Sequence, residues 1–301
     1  MTPWPRPLQA GDAVQLAAAS SALAPEALAR LEAGSALLTS WGLAVQPHPD
    51  PLRQWGYLAG RDGERRGDLQ PQTALVACLR GGWGAARLLE LEGAMAAGDA
   101  PHWLLGFSDV TSLLWARQAA GIAGGIHGPM VTTLAAEPAW SQGRLRDLLF
   151  GRPLPPLGGD GWSPGVAEGP LLVGNLTVAT HLLGTPHWPD LRGAVLVLED
   201  IGEAPYRIDR MLTHWRLSGA LQQLAGLAFG RFSDGEAEAD AASDPADAVT
   251  VEQVLRERSG DLGIPVLGNL AVGHGPGNAA LPLGRRVRLD AGSGSLELLE
   301  P

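Results

Sequence analysis

Three short apolar runs dominate the first half of the chain, at 13–19, 74–79 and 103–107, and each is followed by a loop and a stretch with helical spacing. Strands that are apolar on both faces need helices on both sides, and alternation with helices makes the sheet parallel. The spacing predicts helices over 25–41, where Leu28, Leu31, Leu38 and Trp41 precede a Gly42 stop, and over 84–97 and 109–120. The expected fold class is therefore α/β, with a parallel-sheet domain of flavodoxin- or Rossmann-like layers at the amino end. Connections in such sheets are right-handed, and ligands gather at the carboxyl ends of the strands. The residues just after each strand are where chemistry is expected.

A length of 301 residues favours two domains. Residues 1–150 form the first. Residues 151–168, rich in Gly and Pro with little periodicity, read as a linker, and 169–301 as a second, β-rich α+β domain. In that second part 194–198 and 227–232 read as strands and 208–217 as a helix. Thr250 and Gln253 form a capping box for a helix running to Arg258. The segments 286–290 and 295–299 flank Ala-Gly-Ser-Gly and read as a β-hairpin, while 234–248 reads as an acidic surface loop.

The net charge is −10, and all 22 basic residues are arginine. A nucleic-acid partner needs a positive footprint to neutralise phosphates, so that class is not expected. The one cysteine, Cys78, cannot form an internal disulfide or anchor a cysteine-rich metal site. No apolar run reaches the ~18 residues of a membrane span, and the first residues carry no basic-then-apolar leader pattern. The expectation is a cytoplasmic protein, with no membrane association, acting on something small.

Ser108 follows the third strand directly, on a tight turn into a helix. That position holds a hydroxyl above the sheet edge, where the next N–H can serve a developing oxyanion. The surrounding Gly-Phe-Ser-Asp-Val lacks the second glycine of a G-x-S-x-G elbow, and a helix N-cap is the competing role. A serine nucleophile needs a base and the base an orienting acid. His274, between two glycines, is the leading base and His127 its competitor; Glu199 and Asp200, at the end of a strand, are the candidate acids. Arg80-Gly-Gly-Trp-Gly84 follows the second strand. It lacks the last glycine and the distant acid of a dinucleotide fingerprint, leaving either a turn that presents N–H groups to the oxyanion or a purely steric turn. No cofactor is expected, and no metal-ligand spacing is present.

Taken together these motifs make a pattern. Gly11-Asp12, Ser20-Ser21, Tyr57-Leu-Ala-Gly60 with Asp62 and Arg65, Arg80-Gly-Gly-Trp-Gly84, Gly106-Phe-Ser-Asp109 and His127-Gly-Pro129 occur in order. Gly174-Asn-Leu176, Gly184-Thr-Pro186, Leu198-Glu-Asp200, Tyr206-Arg-Ile-Asp-Arg210, Gly273-His274 and Leu281-Pro-Leu-Gly284 complete it. The chain resembles the LD-carboxypeptidase family of serine peptidases, which includes muramoyltetrapeptide carboxypeptidases and microcin C immunity peptidases.

The resemblance implies a Ser108–Glu199–His274 triad in a groove between two domains, prefers Glu199 to Asp200, and removes His127 from catalysis. It implies an oxyanion hole made by the N–H of Asp109 and of Gly81 or Gly82. The implied substrate is a small peptide, a murein tetrapeptide losing its terminal D-alanine in cell-wall recycling, and the implied assembly is a homodimer. Arg80 and Arg210 are candidates for the substrate carboxylate, with Trp83 beside them where the family usually has Tyr or Phe. Two alternatives remain. One is a peptidyl-adenylate hydrolase, with Trp162 or Trp188 stacking on the adenine; the other is a non-catalytic peptide-binding protein in which Ser108 only caps a helix.

Overall fold

The computed structural model describes residues 2–70, 72–91, 101–234 and 249–299. The chain folds into two compact units, neither of them contiguous in sequence. The first comprises Met1–Leu154, Leu182–Pro189 and Pro276–Gly284; the second comprises Pro155–His181, Asp190–Gly275 and Arg285–Pro301.

The first unit is built on β1 (Ala13–Ala17), β2 (Ala44–Gln46), β3 (Leu75–Cys78), β4 (Trp103–Gly106) and β5 (Gly125–His127). These strands are parallel, in the order β5-β4-β3-β1-β2. Every residue of β3, β4 and β5 is buried, as a sheet covered on both faces requires. The helix expected over 25–41 is a 3₁₀ turn at Pro25–Ala27 running into an α-helix at Leu28–Ser40. The helix expected over 84–97 is instead a 3₁₀ turn at Ala86–Glu90, and 92–97 fall outside the described residues. The helix expected over 109–120 begins as a 3₁₀ turn at Ser108–Val110 and continues at Thr111–Ala119.

A sixth strand, Leu281–Pro282, the twelfth in chain order, joins this sheet antiparallel to β5. It is held by local anchors: the Glu137 carboxylate accepts the N–H groups of Gly277 (2.7 Å) and Asn278 (2.9 Å). Arg144 donates to the carbonyl of Ala280 (3.1 Å). Residues 276–284 thus belong to the first unit although they lie far into the second half of the sequence.

The second unit holds an eight-stranded mixed sheet: β6 (Leu157–Gly158), β7 (Asp160–Ser163), β8 (Val166–Asn175), β9 (Val195–Glu203), β10 (Gly226–Asp234), β11 (Val266–Gly268), β13 (Arg286–Asp290) and β14 (Ser295–Leu298). The order is β6-β14-β13-β8-β9-β10-β11-β7, with β8 to β11 parallel. The expected hairpin is β13–β14, and the expected capping box is formed by Thr250 and Gln253 at the start of Val251–Ser259. The Gly/Pro-rich stretch read as a linker supplies β6, β7 and the first residues of β8. Eight flat strands would put the outer two roughly 34 Å apart at ~4.8 Å per strand, yet Gly159 alone separates β6 from β7. One residue spans only ~3.5 Å, so the sheet must curl until its edges meet. The acidic segment 235–248 lies outside the described residues.

Candidate active site

In the first unit the candidate residues gather at the carboxyl ends of β3 and β4. Ser108 has φ +59°, and among the described residues only Ser108 and Asn269 are non-glycine residues with positive φ. Such a conformation costs on the order of 1–3 kcal/mol and persists only where the surroundings enforce it. Ser108 is the first residue of the 3₁₀ turn that follows β4. The residue at the cap position is Phe107, and neither this turn nor the helix after it has a side-chain cap bond. The N-cap role considered for Ser108 is therefore not the one it has.

Gly81 faces it closely: a Cβ at Gly81 would lie 3.1 Å from both Cβ and Oγ of Ser108. Among the described residues, the N–H groups of Gly81 and Gly82 donate to no acceptor. The loop carrying them is pinned from several sides. The N–H of Trp83 donates to Oγ of Ser21 (2.9 Å), and Arg65, fully buried, donates to the carbonyls of Ala19 (2.5 Å) and Gly84 (2.8 Å). Asp109, considered above only for its N–H, contributes its side chain too. Its buried carboxylate accepts the N–H of Ala85 (2.8 Å), tying the serine turn to the glycine loop. Burial pushes that carboxyl above the usual range, against these hydrogen bonds. Arg80 donates to the carbonyl of Ala22 (2.8 Å), and Trp83 is largely exposed.

In the second unit the candidate acid and base gather at the end of β9. Oε2 of the fully buried Glu199 lies 2.7 Å from Nδ1 of His274 and also accepts the His274 backbone N–H at 3.2 Å. An ionised carboxylate there fixes the proton on Nδ1 and leaves Nε2 as the basic atom. The approach depends on Gly273, whose φ is +101° and where a Cβ would stand 2.5 Å from Oε2 of Glu199. Gly273→Ala is expected to lower kcat about a hundredfold, because displacement of ~1 Å in a catalytic pair costs that much. Steady-state kinetics beside a thermal melt separates this from unfolding, and a wild-type kcat would contradict the pairing.

Asp200, the other candidate acid, accepts from Nδ2 of Asn175 (2.9 Å), from the N–H (2.9 Å) and hydroxyl (2.7 Å) of Thr177, and from the N–H of Ile201 (2.8 Å). It fastens the start of the helix Leu176–Leu182. His127 is fully buried in β5 of the first unit, edge-on to Phe107.

Opposite Glu199 the pairing of β9 with β10 is interrupted. Phe229 pairs with Leu198 and Phe232 with Asp200, so Gly230 and Arg231 together face Glu199. This is a β-bulge, a device that re-aims a side chain. Arg231 thereby lines a cavity of about 540 Å³ with His274, Trp162, Ser233, Glu252 and Asn269. The one sequence signal for such a bulge is a glycine inside a strand pattern, here Gly230 within the strand expected over 227–232. Arg210 lies elsewhere, against the Tyr206 ring and in a separate pocket with His181, Glu203 and His214.

Comparison with known proteins decides the family. Residues 14–128 match the model of the LD-carboxypeptidase N-terminal domain, and residues 168–289 that of the LD-carboxypeptidase C-terminal domain. The chain belongs to the LD-carboxypeptidase family. The chain is 48% identical to the putative carboxypeptidase slr1534 of Synechocystis sp., over 98% of this chain and 97% of that one. It is 34% identical to the murein tetrapeptide carboxypeptidase of Pseudomonas aeruginosa, over 79% of this chain and 80% of the other. Among solved structures, the muramoyltetrapeptide carboxypeptidase of Oxalobacter formigenes superposes with a TM-score of 0.80 at 27% identity, covering 95% of this chain and 97% of that one. The microcin C7 self immunity protein MccF, at 20% identity, shares the fold, with a TM-score of 0.85 over 99% of both chains. Membership places the chain among peptide-bond hydrolases, and the mixed α/β fold with two sheets is the one these relatives have. Among the described residues, no helix is long and apolar enough to cross a membrane.

Proposed function

We propose that this protein is a serine peptidase that releases the terminal D-alanine of murein tetrapeptides, using Ser108 as nucleophile, His274 as base and Glu199 as orienting acid. The observation that carries the reading is the buried Glu199–His274 pair at 2.7 Å, in a chain 34% identical to a murein tetrapeptide carboxypeptidase. His274 Nε2 takes the hydroxyl proton as Oγ of Ser108 attacks the scissile carbonyl. Glu199 stabilises the imidazolium that forms, and the same proton then goes to the leaving amine. The N–H groups of Gly81 or Gly82 and of Asp109 receive the oxyanion. The closeness of Gly81 to Ser108 and its unused N–H support that assignment. The acyl-enzyme is then hydrolysed by water, with His274 again acting as base.

Three observations favour a murein peptide over a peptidyl-adenylate. Arg256 lies over the Trp162 ring, 4.2 Å from its centroid, where an adenine would have to stack. Trp188 is engaged edge-on with Trp115 at 5.2 Å. The MccF likeness is at the level of fold alone. The reading keeps a cytoplasmic location and a homodimer as expectations, the second checked by sedimentation. The deciding experiment is mass spectrometry of products from defined tetra- and pentapeptides beside an aminoacyl-sulfamoyl adenylate. Free D-alanine from the tetrapeptide, persisting in EDTA, is the expected result. Turnover of the adenylate alone contradicts the reading.

A further inference from the structure

We propose that Arg231 is the specificity residue of this site, the cation that receives the free α-carboxylate of the residue being released. The proposal deepens the carboxypeptidase reading and rests on it. A carboxypeptidase differs from an endopeptidase in one requirement. A negative charge lies about one residue, ~3.5 Å, beyond the scissile carbonyl, and a matching positive charge must stand within ion-pair reach of it, on the leaving-group side of the catalytic base.

Arg231 meets that requirement through the backbone. The bulge sets Gly230 and Arg231 against Glu199, the acid that holds the His274 ring. The Arg231 N–H donates to the carbonyl of Val272 (2.8 Å), so the strand carrying the cation and the loop carrying the base are joined two residues before His274. A Cβ at Gly230 would stand 2.5 Å from that same carbonyl oxygen, so the bulge needs a glycine there. Beyond the bulge the Arg231 side chain runs alongside Gly275, which follows His274. A Cβ at Gly275 would be 3.3 Å from Cδ of Arg231, and Nη1 makes only a 3.5 Å contact with the Gly275 carbonyl.

Among the described residues, the charges lining the cavity leave the guanidinium for a ligand. The other charged lining groups are engaged: Glu252 with Arg256 (2.8 Å) and His274 with Glu199 (2.7 Å). Among the described residues, Arg231 has no carboxylate partner. The hydroxyl of Ser233 and the amide of Asn269 line the same cavity and suit the polar remainder of a small amino acid. The two arginines chosen from the sequence fit less well. Arg80 is held by the Ala22 carbonyl, and Arg210 lies in a pocket that does not include His274.

The test compares a tetrapeptide ending in free D-alanine with the same peptide ending in D-alaninamide, which has no negative charge at that end. Wild-type protein should favour the free acid by about a hundredfold in kcat/KM, the worth of a charge-assisted bond. In Arg231→Met the preference should collapse toward one, mainly through a raised KM, and Arg231→Lys should recover part of it. Equal losses on both substrates, or a preserved preference, overturn the assignment. A wild-type enzyme that cleaves both peptides equally overturns it too, while leaving the peptidase reading intact. If wild-type protein cleaves neither, the peptidase reading fails and calorimetry decides separately. Binding of intact tetrapeptide to Ser108→Ala should weaken about a hundredfold when Arg231→Met is added. No binding, or unchanged binding, overturns the role of Arg231.

Discussion

Replacing Ser108 by alanine is expected to abolish D-alanine release, with a fall in kcat of up to ~10⁶-fold, while the circular dichroism spectrum and the melting temperature stay near wild type. The magnitude follows from the proposed role of the hydroxyl as the atom that forms the acyl bond, whose removal would leave only binding and the oxyanion donors. Stability should hold because the side chain makes no cap bond at the start of its helix. The left-handed backbone at Ser108 is imposed by its surroundings, and alanine suffers there about as serine does. Intact-mass measurement after a slow-leaving substrate analogue should show an adduct on wild-type protein and none on the variant. Turnover near the wild-type rate would assign the chemistry to another residue.

Replacing Glu199 by glutamine is expected to cost about 10⁴-fold in kcat. The fold should remain, because the amide is nearly isosteric with the carboxylate. In the wild type one oxygen accepts both the ring N–H and the backbone N–H of His274. An amide keeps the shape but not the charge that stabilises the imidazolium. If its NH₂ turns toward the ring, it holds the wrong tautomer. Nitrogen-resolved NMR of the imidazole should show the proton leaving Nδ1 in the variant, together with the loss in rate. A loss of rate with an unchanged tautomer would leave charge stabilisation as the sole contribution of Glu199. An unchanged rate would remove Glu199 from the mechanism.

Much of this layout was legible in the sequence wherever an element carries its own signal. Strands β1, β3 and β4, the β13–β14 hairpin and the Thr250–Gln253 cap all have local periodicity or turn chemistry that fixes them. What escaped depends on partners far away in the chain. β6 and Leu281–Pro282 are two residues long, too short to show a period, and exist because β14 and β5 offer open pairing. The glycine-rich 151–168 looks like a connection because its strands take their order from the sheet around them rather than from side-chain alternation. Ser108, Glu199 and His274 were readable as residue types at strand ends. The bulge that turns Arg231 beside Glu199 was not, since its one signal, Gly230 within an apolar run, fits an unbroken strand equally well. The 3₁₀ turn at Ala86–Glu90 likewise begins where Asp109 seizes the Ala85 N–H, a tether 24 residues away in sequence.

The meeting of β6 with β7 across Gly159 bears on self-association. An open sheet ends in rows of unsatisfied amides and carbonyls that invite another chain to extend the ladder, and proteins must blunt them to stay dispersed. Rolling the ladder round to its own beginning removes that invitation without charges or prolines as guards. At this sheet, two copies of the chain would then have to recognise each other through side-chain surfaces rather than through shared backbone pairing.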